Sequence, residues 1–178
     1  YDFSKAKTIV SFGYDFLGSS FNHNLFNKQF TERRVVNRDN REMSRLYSFE
    51  SNLSLTGANA DHRIPIKSSH SPIYIAELYN LLSKKLNKKT FVGYNDTNKN
   101  IKTDHLDCLN DISDELINNR GKSIIISDSN NKSVQLLVNL INELLNNYGK
   151  TIDISRSYNI RKGDDKQFDL LVNDLSNG

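Results

Sequence analysis

Apolar residues along this chain fall into two kinds of run, which differ in period. Compact, β-branched runs predict strands. Thr8-Ile9-Val10-Ser11-Phe12, closed by Gly13, is the first of these, and Ser123-Ile124-Ile125-Ile126-Ser127 is the most apolar. Residues 46–49, ending on Glu50, and residues 64–66 and 151–154 predict three shorter strands. The other runs repeat every three to four positions, the signature of a helix with one buried face. Phe21, Leu25, Phe26 and Phe30 follow Ser20, a candidate cap. Ser71-Pro72 opens a second helix, with Pro at a favoured first-turn position and Ile75, Leu78, Leu81, Leu82 and Leu86 on one side. A third starts at Asp104 or Asp107 and runs through Leu109, Ile112, Leu116 and Ile117 to a closing Gly121. Residues 132–148 carry Val134, Leu137, Val138, Ile141, Leu144 and Leu145 on one face. Residues 164–175 end the series, with Phe168, Leu171, Val172 and Leu175 spaced for burial.

Strands therefore alternate with helices long enough to be crossovers. That order predicts one α/β domain over residues 1–178: an open, mostly parallel sheet with helices on both faces, Rossmann-like. Residues 31–44 read as a polar, basic surface connection, and residues 87–104 as an irregular loop around Phe91-Val92.

Composition narrows the function more than the fold. Hydrophobic residues make up 37% of the chain and charged residues 25%, polar for a globular protein but enough for a core. The net charge of +3 is spread out, and aromatics do not interleave with the basic residues, which argues against nucleic-acid binding. The single cysteine, Cys108, cannot build a disulfide, a Cys-ligated zinc site or an iron–sulfur cluster within this chain. His23, His62, His70 and His105 lack metal-ligand spacing, so no metal site is expected. No apolar run approaches the ~20 residues of a membrane span. The chain begins without Met or a signal peptide and is expected to be excised from a longer protein.

Candidate chemistry gathers around two loops. In an open α/β sheet, ligands sit beyond the carboxyl ends of the strands. The loop from Gly13 to Ser20, with Asp15 and Gly18, is either a plain turn or a nucleotide loop, and it lacks the P-loop lysine. Glu50, at the end of the second strand, is either a ribose or guanine anchor or a solvated acid at a loop start. Asp61, His62 and Arg63 are consecutive, so they point in different directions and suit loop-internal bonds better than a catalytic set. No nucleophile elbow is present, and no catalytic residue is assigned.

The run Leu53-Ser54-Leu55-Thr56-Gly57-Ala58-Asn59-Ala60-Asp61-His62-Arg63 is the most specific stretch. It joins Tyr1-Asp2-Phe3-Ser4-Lys5-Ala6, Ile9-Val10-Ser11 with Asp15-Phe16-Leu17-Gly18, and Arg45-Leu46-Tyr47 with Glu50-Ser51. Together these resemble the large periplasmic iron–sulfur subunit of bacterial alternative complex III, a quinol:cytochrome c oxidoreductase. The resemblance is close over residues 1–72 and at pattern level over 107–178. It implies a molybdopterin-oxidoreductase-type domain. In that wider family such a domain holds the guanosine end of a molybdopterin guanine dinucleotide, beside an Asp-Pro-Arg-like run. Here Glu50-Ser51-Asn52 and Ile64-Pro65-Ile66 stand in the corresponding places, and Tyr14-Asp15-Phe16 puts bulk where a phosphate loop wants small residues.

The resemblance thus implies a structural, cofactor-free domain, with iron–sulfur clusters elsewhere in the longer polypeptide. Its implied partners are the rest of its own subunit, cytochrome c and an integral-membrane quinol-binding subunit, at the periplasmic face of the inner membrane. One alternative is the guanosine-binding part of an active molybdopterin guanine dinucleotide oxidoreductase, with Gly13, Asp15, Gly18, Glu50 and Asp61 lining the cofactor. Another is an independent Rossmann-type nucleotide-binding module.

Overall fold

A computed structural model describes residues 1–36, 38, 41–90, 108–155 and 163–177. Four parallel strands form the sheet: β1 (Thr8–Phe12), β2 (Arg45–Glu50), β3 (His62–Pro65) and β4 (Ser123–Ser127), in the order β3-β2-β1-β4. The helices are α1 (His23–Arg34), α2 (Leu55–Ala58), α3 (Ser71–Lys85), α4 (Cys108–Asn118), α5 (Lys132–Leu144) and α6 (Asp165–Asn177). The α/β, open parallel-sheet expectation holds.

β1 and β4 are central to burial. Every residue of both is buried, which is why they read as unbroken apolar runs rather than alternating ones. Alternate side chains still go to opposite faces. Val10, Phe12 and Ile125 meet Ile75, Leu78 and Leu82 of α3, Leu109, Ile112 and Leu116 of α4, and Val134, Val138 and Ile141 of α5. Ile9, Ile124 and Ile126 meet Phe26 and Phe30 of α1 on the other face. There a short 3-10 turn, Phe3–Lys5, sends Phe3 to stack on Phe16 at 4.3 Å between ring centroids.

Several expectations need correction. α1 starts at His23, and of its expected apolar face only Phe26 and Phe30 are buried; Phe21 and Leu25 are exposed. A two-residue stripe suffices because the aromatic cluster around Phe3 and Phe16 fills the rest of that face. β3 begins two residues early, at His62, because its first two side chains lie on a polar edge that apolar pattern cannot mark. α5 stops at Leu144, and Asn146 then adopts φ 55°, the left-handed turn that ends the helix. α6 forms, but its stripe is not buried among the described residues. The Phe91-Val92 piece, most of the 87–104 loop and the helix starts at Asp104 or Asp107 lie outside the described residues.

The expected strand at 151–154 is absent, and the reason lies at the outer edge of β4. The Asn142 side chain, buried on α5, accepts from the Ile125 amide at 3.1 Å and donates to the Ile125 carbonyl at 2.8 Å. Asn147 donates to Asn142 and accepts from Ser123, while the Thr151 hydroxyl donates to the Ser123 carbonyl at 2.6 Å. Side chains thus satisfy the edge that a fifth backbone ladder would have used. Only an isolated bridge, Tyr148 to Ile152, is left of the expected strand.

Candidate functional site

Strand order fixes where a ligand would sit. β1 connects rightward to β2 and β3, while β4 lies on its other side, so the chain reverses direction between β1 and β4. Such a switch point opens a crevice beyond the carboxyl ends of the strands. A cleft of about 440 Å³ lies there, walled by Gly13 after β1, Glu50 and residues 51–54 after β2, Ser68, Ser71 and Pro72 before and in α3, and Asp128 and Ser129 after β4.

Gly13 adopts φ +75°, and a Cβ on it would come within 2.6 Å of the Asp128 carboxylate, so glycine is required by both backbone and space. Asp128 is open to solvent at the cleft rim, yet the protein mass around it pushes its carboxyl above the ordinary range. Among the described residues, the cleft walls carry two carboxylates and several hydroxyls but no Lys, Arg or His.

Glu50 is 5% exposed and already engaged. Its Oε1 accepts from the Arg63 Nε at 2.6 Å, and its Oε2 from the Ser54 hydroxyl at 2.6 Å. Ser54 in turn caps α2, accepting from the Gly57 amide at 2.9 Å. A Cβ on Gly57 would fall 1.8 Å from the Glu50 Oε1, so the glycine makes room for this carboxylate. Glu50 therefore ties β2 to α2 and β3, as neither a free ribose anchor nor a solvated acid would.

Asp15 plays the matching part in the loop after β1. Its carboxylate accepts from the amides of Gly18 at 3.2 Å, Ser19 at 3.0 Å and Thr56 at 2.9 Å, and from the Thr56 hydroxyl at 2.8 Å. The Leu17 amide completes the junction by donating to the Thr56 hydroxyl oxygen at 3.1 Å. Inward-turned amides of this sort are what a phosphate-binding loop offers an anion. Here the anion is a side chain of the chain itself. Gly18 allows this arrangement, since a Cβ on it would lie 2.2 Å from the Asp15 Oδ2.

Asp61 sits elsewhere. Its carboxylate accepts from the two terminal guanidinium nitrogens of Arg34, at 2.7 and 2.8 Å, and from the Leu46 amide at 2.8 Å. Leu46 lies at the amino end of β2, so Asp61 is at the end of the sheet away from the cleft. Burial raises its carboxyl, but the Arg34 hydrogen bonds, the Leu46 amide and the nearby positive charges outweigh that and hold it below the usual range. Of the five candidates, Gly13 and Glu50 line the cleft, Asp15 and Gly18 form the loop beside it, and Asp61 is separate. The salt-bridge role expected of Arg63 is met through Glu50, whereas pattern reading missed Asp128. Asp128 could have been noticed as the first acid after the most apolar strand.

The residues present do not fit a dinucleotide. Among the described residues its phosphates would meet two carboxylates and no cation, and the amides of the neighbouring loop after β1 are already held by Asp15. Among the described residues, no group of three or more metal-ligating side chains comes together, and no helix is long and apolar enough to cross a membrane. Fold and cleft define the class: a Rossmann-like α/β domain with a polar, acidic crevice at its switch point. No family model and no curated protein matches the chain.

Proposed function

We propose that this chain is a molybdopterin-oxidoreductase-like domain of an electron-transfer subunit of the quinol:cytochrome c oxidoreductase type, and that it serves as a cofactor-free scaffold. The reading joins the sequence resemblance to one observation, the Asp15 carboxylate held by the amides of Gly18, Ser19 and Thr56. A loop whose amides are filled from within has no need of a phosphate and gains rigidity instead. The Glu50–Arg63–Ser54 cluster supports the same reading, because the acid at the end of β2 is spent on holding the fold together. The domain's work is then to present its surfaces to the rest of its subunit and to neighbouring subunits, at the periplasmic face of the inner membrane.

Two measurements test this. Guanosine diphosphate should leave the thermal midpoint of the protein unmoved, whereas a saturable rise would mark a ligand that binds the native state. The natural full-length polypeptide should contain iron but no molybdenum. Stoichiometric molybdenum would favour the competing reading, in which the cleft holds the guanosine end of a pterin cofactor.

A further inference from the structure

Among the described residues, two apolar surfaces lie uncovered, and their charges are opposite. The first is α6. Phe168, Leu171, Val172 and Leu175 recur at helical spacing and remain 65%, 53%, 44% and 75% exposed. A helix with such a stripe gains its stability chiefly by burying it. Asp165 lies one turn before Phe168, and Asp169 and Asp174 stand beside the stripe, with Lys166 the one basic residue of the helix. The second surface is a groove of about 500 Å³ between the end of α3 and α5. Among the described residues it is lined by Tyr79, Leu86, Leu140 and Leu144 together with Lys88, Lys89 and Arg120 against one acid, Glu143. Leu136, one turn before Leu140 on α5, extends the apolar row and is 58% exposed.

We infer that α6 of one copy of this chain lies in the α3–α5 groove of a second copy, and the reverse, to give a closed pair. The mode is an amphipathic helix in an apolar groove, anchored by residues one turn apart. Charge selects the occupant. Two α6 helices packed on each other would oppose acid to acid, whereas the groove sets cations beside the aspartates. No described residue of its own chain buries the α6 stripe, so a neighbouring copy can reach it. Reciprocal exchange makes both contacts identical and closes the assembly at two copies. This inference is independent of the electron-transfer reading.

Sedimentation equilibrium of the chain across the micromolar range tests it, with far-UV circular dichroism to verify folding. The expected result is a dimer that Leu171→Asp converts to monomer, its dissociation constant raised about tenfold or more. Leu171 is exposed, so that variant leaves the monomer fold intact. Reversing the groove charge with Lys88→Glu and Lys89→Glu should weaken the dimer, as should Asp165→Lys with Asp169→Lys, and combining all four should restore it. The inference is overturned by a monomer at every concentration, by a dimer that survives Leu171→Asp, by assembly beyond two copies, or by failure of the combined reversal to restore association. A monomer whose α6 amides are protected from hydrogen exchange would overturn it too, because the helix would then occupy its own chain's groove.

Discussion

Asp15→Ala separates a loop held by an internal anion from a loop that merely turns. The change removes the acceptor of four hydrogen bonds, from the amides of Gly18, Ser19 and Thr56 and from the Thr56 hydroxyl. The losses are unequal. The Gly18 and Ser19 amides are near solvent and can turn to water, and Ser19 keeps a second acceptor in the Asp15 carbonyl. Thr56 is fully buried, so its amide is left without a partner. An orphaned buried donor costs about 1–3 kcal/mol, and the lost loop bonds add about 1, so a loss of about 3 kcal/mol is expected. In a chain of this size that lowers the thermal midpoint by about 6–12 °C. Asp15→Asn keeps an acceptor oxygen and should cost about 1 kcal/mol. The vacated amides make a second expectation: sulfate or guanosine diphosphate should protect Asp15→Ala against heat and leave the parent chain unaffected. Urea and thermal melts measure both. A loss below about 0.5 kcal/mol, or equal anion protection of parent and variant, refutes the argument that Asp15 fills an anion site.

Glu50→Gln breaks the pairing of a buried carboxylate with the partly exposed Arg63 and should cost about 1–2 kcal/mol in urea unfolding, with Glu50→Gln/Arg63→Met costing less than the sum of the two single changes. Gly57→Ala forces a methyl into the Glu50 carboxylate and should lower stability by about 1–3 kcal/mol, an effect that the Glu50→Ala background removes. The Asp61 carboxyl is held low, so its charged form is favoured by the fold. Its contribution is complete above the ordinary aspartate range and is lost as pH falls through and below that range. Asp61→Asn should therefore flatten the acid limb of a stability-against-pH curve and leave the slope near neutrality unchanged.

What could be read from the residues depended on how local the cause was. β1 and β4 were legible because full burial makes each a continuous β-branched run. α3, α4 and α5 were legible because each packs one apolar stripe on the sheet. Residues 151–154 have the composition of a strand, but the side chains of Asn142 and Thr151 take the β4 backbone groups they would have paired with, and the apolar pattern of 151–154 does not encode that. The candidate site divides in the same way. Gly13 and Glu50 reached the cleft because position relative to a strand end is a local property. Asp61 did not, since the amino or carboxyl end of a neighbouring strand depends on register, and its partner Arg34 lies 27 residues earlier. Asp128 matters only because β4 lies next to β1, a fact of topology. For α6, spacing marks an apolar face correctly but is silent on whether the covering surface belongs to the same molecule.

The Asn142 clamp on β4 limits how this molecule can grow. With the amide and carbonyl of Ile125 both taken by one side chain, an incoming chain finds no ladder to extend on that flank. The opposite flank, β3, is four residues long and ends in Pro65, which has no N–H to offer. Lateral addition of backbone is thus discouraged on both sides, which guards against runaway sheet stacking. Any larger assembly containing this domain has to be joined through its helices and loops.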